Sequence, residues 1–214
     1  MRITILIVAF LSSAFAYSQI PVIKWQQCYG TLNTWNVGRG IVETENGYLI
    51  ATAINDDVGV PNYHGGGDIW LIETDTLGNK IWEICYGGSE SDGAFKLISR
   101  NDQYYILAGT QSTDGDVQSN NNGGLDYWVI KLDSEREIIW EKCYGSPGNE
   151  VPRDMIVTPD GGVVVMAEYL IQEGMFLCFM ALTMYGCSKL TALVIWSGKK
   201  PLATNGMITV FQSC

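Results

Sequence analysis

His64 is the only histidine in the chain and lies in a glycine-rich stretch. That argues against a histidine-based triad and against a multi-histidine metal centre. The carboxylates Asp68, Glu73, Asp75, Asp126 and Asp133 could supply a pair that flanks a glycosidic bond, although Asp75 and Asp133 each precede a turn and suit that role better. Asp114, Asp116 and Asn120 offer oxygen ligands for calcium, without the downstream bidentate glutamate of a helix-loop-helix site. Calcium is the single cofactor these residues suggest. Trp35, outside any repeated pattern, is the tryptophan best suited to stack on a ligand such as a glycan. There is no phosphate loop, dinucleotide fingerprint or basic patch, and no residue is assigned a catalytic role.

Six cysteines are present, with no Cys-x-x-Cys among them. Cys28, Cys85 and Cys143 occupy equivalent places in a repeat. Equivalent places in neighbouring units lie beyond the Cα separation of about 7 Å that a disulfide tolerates, so these three are expected as small buried core residues.

The elements that must position these groups come from the repeat. Trp25, Cys28, Tyr29 and Gly30 recur as Trp82, Cys85, Tyr86 and Gly87 and again as Trp140, Cys143, Tyr144 and Gly145, two steps of nearly equal length. Asp68 and Trp70 recur as Asp126 and Trp128, each tryptophan twelve positions before the next motif. Self-similarity at a period of this size signifies stacked or radially arranged supersecondary units. Residues 40–45, 48–53, 69–74 and 80–86 read as four short strands, and 95–99, 104–110, 127–132 and 137–144 repeat the scheme. Asn46-Gly47 and Gly78-Asn79 lie between them, residues that accept positive φ cheaply. Four antiparallel strands per period predict an all-β, incomplete β-propeller-like array, with a β-solenoid as the alternative. The repeats span 25–81, 82–139 and a partial 140–174, within a segment 19–174. The repeated tryptophans are expected to pack between units.

These motifs, with Asp160-Gly-Gly-Val163 and the Asp-x-Trp signature, resemble the tandem repeats of secreted Bacteroidetes proteins. The resemblance covers about residues 25–174. It implies a β-propeller-like fold and export, commonly with a C-terminal sorting domain for type IX secretion, which is not recognisable here. It implies no particular activity.

The two ends read differently. Arg2, an apolar run and small residues up to Ser18 form a secretory signal peptide over residues 1–18, shorter in its apolar part than the roughly 20 residues of a membrane span. At the other end, every acidic residue lies before Met175, while the tail from Met175 to Cys214 holds Lys189, Lys199 and Lys200 and no acid. Translated one base over, permitted codons of residues 175–214 give an Asp-x-Trp whose tryptophan lies twelve positions before a Trp-Glu-Lys. Met180 before Ala181 forces a glycine and Met184 before Tyr185 a valine. Residues 175–214 therefore read as a frameshifted tail without a native fold, and the chain as truncated.

A net charge of −10 opposes binding to nucleic acid or anionic lipid, and no membrane insertion is expected. The function expected is an exported, non-enzymatic surface or secreted binding module for a glycan or protein ligand. The alternatives are a fragment of a secreted glycan hydrolase or lyase and the product of a decaying gene. Resequencing genomic DNA from codon 165 to several hundred bases past codon 214 should show repeats continuing in the shifted frame. DNA with no repeat in either frame past Gly174 would refute the frameshift.

Overall fold

The computed structural model describes residues 22–30, 36–55, 59–171, 174–182 and 192–196. The proposed signal peptide at 1–18 and Trp35 lie outside the described residues. The described chain is all-β. Strands β1 (Gly40–Glu43), β2 (Gly47–Ile54), β3 (Asp68–Asp75) and β4 (Lys80–Tyr86) form one antiparallel sheet in chain order. Strands β5 (Asp92–Arg100), β6 (Gln103–Thr110), β7 (Asp126–Leu132) and β8 (Ile138–Tyr144) form a second. Strands β9 (Asn149–Val157), β10 (Val163–Ile171), β11 (Gly174–Leu182) and β12 (Ala192–Trp196) form a third. Among the described residues no strand pairs outside its own sheet, as a solenoid would require. The sheets instead stack through their leading strands, β5 touching β1 and β2, and β9 touching β5 and β6. That is the arrangement of propeller blades converging on their inner strands.

Turn chemistry sets the hairpins. Asn101 and Asp102, at φ 51° and 56°, make the link between β5 and β6 with both residues at positive φ, the geometry whose twist matches the strands it joins. Between β3 and β4, Asp75 Oδ1 accepts the amide hydrogens of Leu77 and Asn79, both at 2.8 Å. Between β7 and β8, Asp133 Oδ1 accepts those of Glu135 and Glu137, both at 2.9 Å. The same bulge adjoins the turn in each sheet, at Glu73/Thr74 and at Lys131/Leu132. The left-handed position of the turn is Gly78 (φ 81°) in one unit and Arg136 (φ 71°) in the next. A residue with a side chain is disfavoured there by about 1–2 kcal/mol, which the contacts of Arg136 described below offset.

The core lies between sheets. Leu49, Ala51, Ile69 and Leu71 of the first sheet meet Ile106, Ala108, Trp128, Ile130 and Leu132 of the second. The opposite face of the second sheet, Tyr105, Leu107, Tyr127 and Val129, meets Met155, Val163 and Val165 of the third. Because the second sheet is covered on both faces, β6 and β7 read as nearly continuous apolar runs rather than alternating ones.

Two features differ from the sequence-based expectations. The motif that opens the second and third repeats closes the first and second sheets: Trp82 to Tyr86 lies in β4, and Trp140 to Tyr144 in β8. Sheet boundaries therefore run out of phase with the repeat boundaries 25–81 and 82–139. The third unit also does not stop at residue 174, since the backbone of β11 pairs with β10 over Gly174 to Leu182 and β12 pairs with β11. Uncharged runs rich in Val, Ile, Leu, Phe and Trp carry the β propensity to occupy an open sheet edge, whatever their origin.

Leu71 is fully buried between the first two sheets and Ile81 is 56% exposed on β4. Leu71→Ala should cost about 2–5 kcal/mol in urea denaturation through transfer loss and cavity formation, and Ile81→Thr about 0.5 kcal/mol or less. Equal costs would contradict the placement of the core.

Candidate functional site

The acidic residues gather at one end of the sheets, where β3 and β7 begin, β4 and β8 finish, and the next sheet starts. Asp68 opens β3 and Asp92 opens β5. Asp126 opens β7, and Glu150 is the second residue of β9. Each joint therefore receives one carboxyl from the sheet behind and one from the sheet ahead, with a glycine between. A Cβ on Gly87 would collide with Asp68 Oδ1 and Asp92 Oδ2, and one on Gly145 with Asp126 Oδ1 and Glu150 Oε2. Neither glycine has a positive φ. At these two joints the glycine of the Cys-Tyr-Gly motif is needed for space, not for backbone freedom.

The two joints share a hydrogen-bonding plan. The His64 amide donates to Asp68 Oδ2 at 2.8 Å, and the Asn122 amide to Asp126 Oδ2 at 2.7 Å. His64 Nδ1 also lies 3.2 Å from Asp68 Oδ2. Asp92 Oδ2 accepts from the Gly88 amide (2.7 Å) and Ser112 Oγ (2.8 Å). Glu150 accepts from the amide and the hydroxyl of Ser146. Asp68, Asp92, Asp126 and Glu150 are at most 5% exposed, and Oδ1 of each of the three aspartates is buried with no donor. Two carboxylates so placed cannot both stay ionised at low cost. Burial raises all four above the ordinary carboxylate range and brings Asp68 to about 6, where the nearby Asp92 pushes in the same direction. At the second joint the neighbouring Asp126 charge pushes Glu150 further in the same direction. Each joint is thus a buried carboxyl pair whose environment favours the protonated form.

The calcium candidates serve the same end of the molecule in another way. Asp114 Oδ1 accepts the Ser89 amide at 2.7 Å, and Asp116 Oδ2 the Gly87 amide at 3.2 Å. Asp116 also returns its own amide to Gly87 O at 2.8 Å, while Asn120 is exposed. These loop oxygens fasten the 111–125 loop onto the 87–89 crossing. His64 Nε2, 3.9 Å from Asp116 Oδ2, links the 55–67 loop to it. Among the described residues no group of three or more His, Cys, Asp or Glu is arranged to hold a metal ion.

The five carboxylates considered for glycan chemistry are dispersed. Asp68 and Asp126 sit in successive joints, Glu73 is ion-paired to Arg136 at 2.5 Å, and Asp75 and Asp133 hold turns. Cys85 and Cys143 are buried, and burial pushes both thiols up to about 12, far from a nucleophile's range. Cys28 corrects the expectation of three buried cysteines. It is exposed, in a segment, residues 22–30, that belongs to no strand and is exposed over most of its length.

Trp70 and Trp128 are 4% and 0% exposed, and Trp82 and Trp140 pack half-buried against the core clusters. Trp25 lies against Tyr48, ring centres 5.7 Å apart. Sequence reasoning missed Asp92, Glu150 and the glutamates beside the motif tryptophans. Glu83 accepts from Trp70 Nε1 at 3.1 Å and Glu141 from Trp128 Nε1 at 2.6 Å. A signal existed, since Asp92 and Glu150, like Glu83 and Glu141, stand one full repeat apart. The change from aspartate to glutamate hides the first pair, and Gln26 in the earliest motif hides the second.

No protein-family model matches the chain, and no curated protein matches it either.

The folded protein binds the Asp68 proton more tightly than the unfolded chain, whose aspartates titrate at about 3.9. Its contribution is therefore complete below about pH 4 and is lost as pH rises through about 6. Asp68→Asn keeps an acceptor for the His64 amide and removes the titrating group. Relative to this variant, the parent chain should lose at most about 3 kcal/mol between pH 4 and 7, less what solvent screening removes. Parallel stability–pH curves for the two proteins would refute the protonated joint.

Proposed function

We propose that this chain is an exported, non-catalytic binding module of propeller-like units that presents a glycan or protein ligand with a fixed loop surface. One observation carries the reading: the side chains at the loop end that could do chemistry are already engaged in holding loop to loop and sheet to sheet. His64, Asp68, Asp92, Asp114, Asp116 and Ser112 all lie in that network. A pre-organised surface of this kind lowers the entropy cost of binding, whereas catalysis needs a reactive group left accessible. Loops mounted on a rigid scaffold are the usual carriers of recognition.

Export rests on the signal peptide over residues 1–18, and the resemblance to secreted Bacteroidetes repeats points to the cell surface or the medium. The frameshifted tail belongs to the same reading: the module is one piece of a longer array. Nucleic acid and lipid bilayers are poor partners for a chain with a net charge of −10.

Affinity electrophoresis of the purified full chain through gels containing soluble polysaccharides, paired with a reducing-end assay, tests this. Retardation in at least one gel with no release of reducing ends is expected. Release of new reducing ends would overturn the non-catalytic reading.

A further inference from the structure

The joint ahead of the first sheet is built like the one after it but lacks one of its fillings. Residues 27–30 stand there as residues 84–87 stand at the later joint. Tyr29 Oη donates to Gly78 O at 2.5 Å, just as Tyr86 Oη donates to Arg136 O. At the later joint the Arg136 guanidinium fills the gap, 6.0 Å from the Trp82 ring centre and 5.4 Å from that of Tyr104, and ion-paired to Glu73. Its counterpart Gly78 has no side chain, and the Trp25 ring takes that place, so close that a Cβ on Gly78 would collide with it.

The missing filling is Ser119. Its amide donates to Glu141 Oε1 at 2.8 Å and its hydroxyl to Oε2 at 2.7 Å, while the same hydroxyl accepts the Cys143 amide. The matching position one repeat earlier is Pro61, which has neither an amide hydrogen nor a hydroxyl. Only its carbonyl is used, accepting the Cys85 amide at 2.9 Å. Glu83, the counterpart of Glu141, is left with the Trp70 indole and with Lys80, whose side chain is 45% exposed. A cavity of about 440 Å³ opens beside it, walled by Gln27, Tyr29, Trp70, Asn79 and Lys80.

We propose that this cavity binds a saccharide. Two neighbouring hydroxyl groups of the sugar donate to Glu83 as the two donors of Ser119 do to Glu141, and a hydroxyl oxygen accepts from Lys80. One carboxylate and one ammonium leave the walls formally neutral, which favours an uncharged polyol over an anion or a cation. Tyr29, half-buried at the wall, supplies apolar surface for the C–H face of a pyranose ring. The volume falls in the range of small-molecule sites. This inference rests on the binding-module reading and names its ligand class and its place.

The test uses the full chain with the methyl glycosides of glucose, galactose and mannose, followed by saturation-transfer NMR and tryptophan fluorescence. Tetrahydropyran-2-methanol is the control, a ring of similar shape without neighbouring hydroxyls. At least one glycoside should bind with an affinity of about 1 mM, the level suited to a ligand of about a dozen heavy atoms. Glu83→Gln, which keeps an acceptor for the Trp70 indole, and Pro61→Ser, which restores the filling found at the later joint, should each weaken binding about tenfold or more. Glu141→Gln, at the filled counterpart, should leave it unchanged. Thermal midpoints establish that each variant folds, and either of the first two suffices if the other does not.

Absence of binding by all three glycosides, equal binding by the control ring, or undiminished binding by a folded Glu83→Gln or Pro61→Ser protein overturns the site. If the chain is still retarded by polysaccharide in those cases, the binding-module reading stands and only this site falls. If it is not retarded, both fall.

Discussion

Each joint between sheets depends on two carboxyl groups brought together over a residue that has no side chain. Gly87 and Gly145 let Asp68 approach Asp92 and Asp126 approach Glu150, and the remaining polar groups at that end arrange themselves around these pairs. The 55–67 and 111–125 loops each send a backbone amide to the acid at the start of the following strand. Serines from the crossings and loops satisfy the partner acid. Buried carboxyl pairs are costly if both ionise, so the joint is at its strongest when it holds a proton. It is weak evidence for stability as such and better evidence for specified register, because only one alignment of successive units brings acid, glycine and acid together.

The apolar layers and the acid joints divide the work. Leu71, Ile106, Ile130 and their neighbours supply most of the driving force through buried area, but a slab of Leu, Ile and Val tolerates sliding. The joints, with the Tyr86 hydroxyl on the next turn and Arg136 between Trp82 and Tyr104, fix how one sheet sits on the next. Arg136 shows the trade directly: it occupies a left-handed turn position that glycine fills in the preceding unit, and its guanidinium spans three side chains of the joint.

Much of the architecture was legible in the chain. The even steps from Trp25 to Trp82 and on to Trp140 located the strands closely, and Asp75 and Asp133 announced their turns because turn chemistry is local. What stayed hidden was non-local or written in changed residue types. The partners of Asp68 and Asp126 lie two strands further along the chain, one an aspartate and the other a glutamate. Cys28 carries the same motif as Cys85 and Cys143 yet is exposed, because burial comes from the surrounding sheet and not from the motif. The strands at Gly174–Leu182 and Ala192–Trp196 could not be read from a repeat they do not follow.

The offset between the repeat frame and the sheet frame bears on how such an array changes over generations. A recombination event that adds or removes one full period of codons leaves every sheet whole and every acid–glycine–acid joint intact, wherever in the period the crossover falls. It needs no alignment with the edges of a folded unit. Copy number is therefore free to drift without a folding penalty at the splice, while loss of part of a period that includes a strand leaves a sheet and its joint incomplete.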